Sequence, residues 1–234
     1  METGLKTFRL TGNQLKLIAL ITMTVDHLGL FIFNDLLIMR LIGRLAMPIF
    51  AWMIAEGCRY TKNRLKYLLT LLGFGGVCQV VYLLSMGSVN QCILITFSLS
   101  VILIYVLDYA VKKKNFLSLC LMGITFAAVT YICVFLPGDL PNTDFSVDYG
   151  IYGVLLPVLI YMGQTKEQKL MAAAIGLLPL VLRLGIWQWP CYLALPLLAL
   201  YDGQRGKRKL KYLFYIYYPL HLAAIYGLSL LISR

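Results

Sequence analysis

Long runs of apolar residues, separated by short polar segments, make up most of the chain. A helix needs about 20 apolar residues to cross a bilayer, so these runs predict nine membrane-spanning helices. The sixth and eighth runs are short, and we expect those two helices to be tilted or only partly inserted. The predicted spans are 14–34, 38–57, 65–86, 92–111, 116–136, 149–162, 168–186, 189–201 and 212–232.

The charges in the connecting segments predict the orientation. Lysines and arginines accumulate on the cytoplasmic side of a membrane protein. An N-terminus inside the cell places all but four of the 21 lysines and arginines in cytoplasmic segments. The longest outward segment, PGDLPNTDFSVD, carries three aspartates and no base. The pattern therefore predicts an all-α, polytopic membrane helix bundle with its N-terminus in the cytoplasm and its C-terminus outside.

The composition is typical of a protein that consists almost entirely of membrane-spanning segments. Hydrophobic residues make up 60% of the 234 residues, charged residues 13%, and the mean hydropathy is +0.80. No polar stretch is long enough to form a soluble domain, so we expect residues 1–234 to form a single domain. The first run is too long for a signal peptide and lacks a cleavage site, so it is expected to remain as a helix.

The net charge of +11 does not require nucleic acid as a partner. Basic cytoplasmic segments face anionic lipid head groups, and they are equally suited to hold a phosphorylated ligand. The cysteines are scattered through apolar runs without a CxxC pair or a neighbouring histidine cluster, which is typical of small packing residues rather than of disulfides or a metal site. They are Cys58, Cys78, Cys92, Cys120, Cys133 and Cys191.

The first predicted span contains an acid and an imidazole, Asp26 and His27, in the stretch TVDHLGLFIF. An ionisable side chain within the bilayer is costly, so it needs a reason to be there. The two side chains point about 100° apart around a helix, and hydroxyls at Thr22 and Thr24 are placed to orient them. A structural polar pair that fixes helix packing is the alternative to a functional role.

Two arginines open the second predicted span, in RLIGRLAMPIF. Arg40 and Arg44 lie on one helix face, four residues apart. Arg40 is near the helix end, where its side chain has the option of reaching the interface. Arg44 is deeper and is a candidate partner for Asp26 or for an anionic group of a substrate. Further along, Glu56 and Arg59 have the spacing of an ion pair across one turn.

The last predicted span carries the second of the two histidines, His221, about ten residues into FYIYYPLHLAAIY. Part of this string is typical of an aromatic belt at the membrane interface, and a buried structural histidine is one interpretation of His221. Two histidines and an acid in a bundle also suit proton transfer to or from a hydroxyl or amine. Spacing alone does not show that they meet.

Four segments resemble the TraX family of membrane proteins. They are KLIALITMTVDHLGL, IGRLAMPIFAWMIAEGCRYTKNRLKYL, YGIYGVLLPVLIY and LYDGQRGKRKLKYLFYIYYPLHL, in that order over nearly the whole chain. The known member of that family acetylates the N-terminus of the conjugative pilin subunit, and the family is distantly similar to the acyltransferase-3 group of membrane acyltransferases. That group has an essential histidine on its first helix, an R-x-x-x-P-x-F-like segment, and a histidine near the end of its last helix.

By this resemblance, the motif positions fall on His27, on Arg44, Pro48 and Phe50, and on His221. The resemblance implies transfer of an acetyl or other short acyl group from cytosolic acetyl-CoA or another acyl-CoA, without a metal. His27 is then the base or acyl relay, Asp26 orients it, and Arg44 stabilises an oxyanion or the phosphates of the donor. The implied CoA-binding residues lie in the basic cytoplasmic segments: Arg59, Lys62, Arg64, Arg205, Lys207 and Arg208.

The implied partners are the acyl-CoA donor, membrane lipids and an acceptor in the envelope or at the surface, such as a pilin-like protein, a glycan or a lipid. The implied location is the bacterial cytoplasmic membrane. Two other functions use the same residues. A small transporter or flippase would use the buried charges as a proton relay, although no internal repeat supports it. A non-catalytic assembly factor for conjugation or pili would use them to bind partner helices.

Overall fold

The apolar runs fold as helices. The computed structural model describes residues 9–207 and 210–232, which contain helices joined by short segments and no β-strand. The α-helices are α1 Gly12–Phe31, α2 Leu37–Gly43, α3 Ala46–Tyr60, α4 Arg64–Met86, α5 Ile93–Lys113, α6 Phe116–Thr130, α7 Leu136–Asp139, α8 Gly150–Met162, α9 Lys166–Leu184, α10 Ala194–Ala199 and α11 Lys211–Ile232. A π-helix, Tyr131–Phe135, joins α6 to α7, and a 3₁₀-helix, Ile186–Leu193, precedes α10.

Within the described residues, six helical segments are long and apolar enough to cross a membrane. They correspond to the first five predicted spans and to the last one, so the prediction of an all-α, multi-pass protein is confirmed. The predicted sixth span is α8, a shorter apolar helix of 13 residues. The segments long enough to span are Gly12–Phe31, Leu37–Tyr60, Arg64–Met86, Ile93–Lys113, Phe116–Asp139 and Leu213–Ile232.

The prediction was wrong for the eighth span, 189–201, which is not one α-helix. The 3₁₀-helix Ile186–Leu193 is followed by only six α-helical residues in α10. Pro190 and Pro196 lie in these two short elements. Proline removes a backbone donor and its ring clashes with the carbonyl four residues earlier, so a regular α-helix is disfavoured here. The predicted seventh span corresponds to α9, which ends at Leu184 before Gly185 with its positive φ of 83°. Helix α9 is not among the six described segments that are long and apolar enough to cross a membrane.

Prolines also interrupt two of the predicted spans. Pro48 cannot donate to the carbonyl of Arg44, and the chain turns at Arg44 and Leu45 between α2 and α3. Pro137 likewise cannot donate to Cys133, and the π-helix lies directly before it. Wide helical turns of this kind are often found at functional sites. The turn before Pro48 matters most here, because Arg44 lies in it and Arg40 lies one helical turn earlier, on α2.

Helix α3 lies at the centre of the bundle. Most of its residues are buried, including Trp52 and Ile49, and it packs against α1, α5 and α8. Helix α1 also contacts α2 and α11, while α6 packs mainly on α5 and exposes nearly all of its surface. Such an apolar outer surface is what a lipid environment requires. The six cysteines are unbridged, and all but Cys120 are buried.

Two ends of the bundle differ in charge. Hydrogen bonds join Gly12 to Gln204 and Arg59 to Gly163, so these segments lie together at one end, which we call the basic end. At the other end, which we call the opposite end, Asp144 binds Ser88 and Val89, and Thr96 donates to the carbonyl of Asp148. Helix α1 runs from the basic end toward the opposite end.

Candidate functional site

The two histidines meet, although they are 194 residues apart in the sequence. His27 on α1 and His221 on α11 lie with Nδ1 of His27 2.9 Å from Nε2 of His221. Their ring centroids are 5.0 Å apart and the planes are tilted by 36°. His221 is buried and His27 is partly exposed. The contact between α1 and α11 therefore brings together both of the histidines that the sequence supplies.

The hydrogen bonds define which nitrogens carry protons when both rings are neutral. Nδ1 of His221 lies 3.0 Å from the backbone carbonyl of Tyr217, which can only accept, so this nitrogen is the donor. Nε2 of His221 is then an acceptor, and Nδ1 of His27 donates to it. The remaining nitrogen, Nε2 of His27, has a free lone pair and makes no hydrogen bond among the described residues. This arrangement leaves His27 able to take a proton.

Tyr217 holds the histidine pair from a second direction. Its ring stacks on that of His221 with centroids 5.3 Å apart and planes within 9°. Its hydroxyl lies 2.7 Å from Oγ1 of Thr24, which itself donates to the carbonyl of Leu20 at 2.8 Å. The tyrosine hydroxyl therefore donates to Thr24. The sequence predicted that Thr24 lies near His27, but it assigned no role to Tyr217.

Asp26 is paired with Arg40. Oδ2 of Asp26 lies 2.6 Å from the Arg40 guanidinium, which also contacts Asp35 at 3.0 Å. Arg44, the candidate partner of Asp26 or of an anionic group of a substrate, does not make this ion pair, but it is close enough to Asp26 to interact with it electrostatically. The hydrogen bonds of the described residues connect Asp26 to Arg40 and His27 to His221. His221 is thus the hydrogen-bonding partner of His27, where the resemblance implied Asp26.

Arg44 lies at the opposite end with electrostatic neighbours in Asp148 and Tyr149. Its Nε atom is buried without a hydrogen bond among the described residues, and so is Oδ1 of Asp26. Buried polar atoms are normally hydrogen-bonded. Two such atoms in one region indicate a place where a polar group of a ligand would find partners.

Gly43 permits this packing. A Cβ atom at Gly43 would overlap the Cβ and the carboxylate of Asp26. We expect Gly43→Ala to lower the free energy of unfolding by about 1–3 kcal/mol, as overpacking does in well-packed cores, and to displace Asp26. Gly73→Ala is the matched control, since nothing lies within 4 Å of its Cβ position. Thermal unfolding of both variants in detergent measures the difference, and equal stability would contradict the proposed role of Gly43.

Asp148 provides a pH-dependent contribution to stability. Burial raises the pKa of its carboxyl from the usual value of 3.8 to about 7. Between about pH 4 and pH 7 the folded protein holds a proton that the unfolded chain releases, so this contribution to stability falls as the pH rises. We expect the difference in Tm between Asp148→Asn and the wild-type protein to grow in favour of the variant from pH 4 to pH 7. A difference independent of pH would contradict this expectation.

The implied CoA-binding residues at the basic end differ in how they are engaged. Arg59 donates to the backbone carbonyls of Tyr161 and Gly163, at 2.6 and 2.8 Å, and so caps the end of α8. Arg64 forms an ion pair with Asp108. Both guanidinium groups are thus occupied within the protein.

The other implied CoA-binding residues are more accessible to a ligand. Lys62, Arg205 and Lys207 are exposed, and Arg208 lies outside the described residues. The expected pair between Glu56 and Arg59 was wrong, because Glu56 binds Lys169 at 2.6 Å.

A cavity of about 410 Å³ enters the bundle from the basic end. Lys16 and Arg205 line it together with aromatic and apolar side chains, and it extends to Leu20 and Tyr218. The ring of Tyr218 contacts that of His221 edge-on, with centroids 5.4 Å apart. The cavity thus ends one side chain from the histidine pair. The sequence placed Lys16 among the cytoplasmic charges but did not associate it with a cavity.

Comparison with known proteins places the chain in a family. The family described as "TraX protein" matches residues 11–229, from the residue before α1 to the last turn of α11. The chain belongs to the TraX family. The matched range contains both histidines and the ion pair of Asp26 with Arg40, so the site described above lies entirely within the TraX region.

Two curated relatives of this TraX protein differ in how much of them is covered. A probable fimbrial assembly protein FimC (serogroup H1) of Dichelobacter nodosus is 28% identical over 91% of this chain and 93% of its own length. An uncharacterized protein of Rickettsia prowazekii is 28% identical over 67% of this chain and 57% of its own length. No solved structure matches the chain.

Proposed function

We propose that this TraX protein is a membrane-embedded acyltransferase. It moves an acetyl or other short acyl group from a cytosolic acyl-CoA to a hydroxyl or amine of an envelope or surface acceptor. The observation that carries the proposal is the hydrogen-bonded pair of His27 and His221, which leaves Nε2 of His27 unprotonated. The cavity that extends from the basic end to Tyr218 supports it, since an acyl donor entering there approaches the pair.

In the proposed reaction, Nε2 of His27 takes the proton of the acceptor hydroxyl or amine while the acceptor attacks the thioester carbonyl. A C–O or C–N bond forms, the C–S bond breaks, and the proton passes to the departing sulfur to give free CoA. His221 stabilises the imidazolium of His27 by keeping its acceptor nitrogen toward Nδ1 of His27. Because Arg44 lies at the opposite end from the cavity, a role toward the acceptor or the developing oxyanion is better supported than one toward the phosphates of CoA.

The proposed orientation puts the basic end in the cytosol and the C-terminus outside, in a bacterial cytoplasmic membrane. In this arrangement α8, α9 and the segment 186–199 complete a nine-element bundle around the six long helices. The donor and the acceptor then approach the histidine pair from the two sides of the membrane. The name of the Dichelobacter nodosus relative supports a pilin-like acceptor.

The same relative's name supports a second candidate, a non-catalytic factor for fimbrial assembly. Mass spectrometry of envelope proteins, glycans and lipids from cells that produce the wild-type protein or His27→Ala separates the two functions. An acyltransferase is expected to leave an acyl modification that is absent from the variant strain. Identical modification in the two strains, together with lost fimbrial assembly in the variant, would favour the assembly factor and contradict the proposed reaction.

A further inference from the structure

Lys16 lies in the wall of the cavity and has no acidic partner among the described residues. Its ammonium lies 5.3 Å from the centre of the Phe214 ring, and no ion pair of the described residues includes it. Glu56 is the one acid among the described residues that line this cavity, and it is already paired with Lys169. Arg205 adds a second positive charge to the same wall. The cavity is therefore arranged to receive an anion near Lys16.

Helix α1 holds Lys16 at a fixed distance from the histidine pair. Both Lys16 and His27 belong to the unbroken helix Gly12–Phe31. Eleven residues at about 1.5 Å each separate them by about 16 Å along the axis, and they point about 20° apart around it. Leu20 and Met23 lie between them on the same face. Leu20 lines the cavity, and Met23, one turn further along α1, is buried.

The pantetheine arm of CoA matches this spacing. About thirteen bonds separate the pyrophosphate of CoA from its sulfur, and an extended chain advances about 1.1–1.2 Å per bond, which gives about 15 Å. A pyrophosphate at Lys16 would therefore place the thioester beside His27. Met23 has a flexible, unbranched side chain, so it is suited to move aside for the acyl end.

We propose that Lys16, assisted by Arg205, binds the pyrophosphate of the acyl-CoA donor. The length of helix α1 between Lys16 and His27 then places the thioester next to His27. This inference rests on the proposed function. It places the pyrophosphate away from Arg59 and Arg64, two of the implied CoA-binding residues, whose guanidinium groups bind Tyr161, Gly163 and Asp108. The proposed binding site for the donor's pyrophosphate is also distinct from Arg44, which lies at the opposite end of the bundle.

Binding of CoA and of pantetheine to the purified full-length protein in phosphatidylcholine nanodiscs tests the proposal. Pantetheine has the arm without the phosphates. Lys16→Met keeps the apolar stem of the side chain and removes the charge, Lys16→Arg keeps a charge, and Lys66→Met removes an exposed cation of the same end that is not among the implied CoA-binding residues. We expect Lys16→Met to weaken CoA binding at least about tenfold and to leave pantetheine binding unchanged. Lys16→Arg is expected to restore most of the affinity, and Lys66→Met to stay within about twofold of the wild-type protein.

Three results would overturn the assignment. If Lys16→Met binds CoA as tightly as the wild-type protein does, Lys16 does not hold the pyrophosphate, although the proposed function stands. If pantetheine binding falls equally, the variant has damaged the cavity rather than removed a phosphate site. If phosphatidylglycerol in the nanodisc competes with CoA in the wild-type protein but not in Lys16→Met, Lys16 holds a lipid phosphate. A wild-type protein that binds neither CoA nor acetyl-CoA would instead contradict the proposed function itself.

Discussion

Replacing His27 with alanine is expected to lower the rate of acyl transfer by about 10²–10⁴-fold, the usual contribution of a positioned general base. The reason is that Nε2 of His27 is the free, unprotonated nitrogen of the histidine pair. CoA binding is expected to remain within about twofold of that of the wild-type protein, because the charge site at Lys16 lies about 16 Å away along α1. Transfer of label from acetyl-CoA, measured beside CoA binding, checks both parts.

Two further variants test the origin of the effect. His221→Ala removes the acceptor for Nδ1–H of His27, and we expect a loss of about 10–100-fold, as for other residues that orient a functional imidazole. Tyr217→Phe is the matched control, since the carbonyl that binds His221 belongs to the backbone and is retained. It is expected to keep nearly full activity. Full activity in His27→Ala would show that the base is a different group.

The sequence predicted the long helices well and the short elements poorly. Uninterrupted apolar runs define the first five spans and the last, and hydrophobic length alone is sufficient for them. The segment 189–201 is also an apolar run, but it forms a 3₁₀-helix that contains Pro190 and a six-residue α-helix that contains Pro196, where proline disfavours regular α-helical hydrogen bonding. Hydropathy does not record backbone hydrogen bonding, so the length of a run overestimated helix formation there. For the same reason, hydropathy did not predict the turn between α2 and α3 before Pro48.

The contacts within the candidate site could not be predicted from the spacing of residues in the sequence. His27 and His221 each stood out as an imidazole in an apolar run, but their contact depends on the packing of the first helix against the last. Arg40 and Arg44 both lie near Asp26, and the spacing of the sequence does not show that Arg40 is the one that forms the ion pair. Tyr217 resembled part of an aromatic belt, and only its stacking on His221 indicates its role.

Removing Arg40 is expected to have the largest effect on stability. Its guanidinium neutralises Asp26 within the first helix pair, and the two side chains are only 19% and 17% exposed. Truncating one partner of a buried ion pair leaves an uncompensated charge and costs about 3–5 kcal/mol. Because both side chains keep some contact with solvent, we expect Arg40→Ala to lie near the lower end of that range. Thermal unfolding in detergent, at a pH where Asp26 is charged in the unfolded chain, measures the loss.

A double variant identifies the cause of that loss. If the unpaired carboxylate is responsible, Asp26→Asn combined with Arg40→Ala recovers much of the stability, and the two single changes are not additive. Arg64→Ala provides a control at the basic end, because Arg64 is 40% exposed in its pair with Asp108 and the expected loss is about 1 kcal/mol or less. Equal losses in Arg40→Ala and Arg64→Ala would contradict this account. The Asp26 carboxylate would then be stabilised by groups other than Arg40, and the free Oδ1 atom would point to Arg44 or a ligand as its partner.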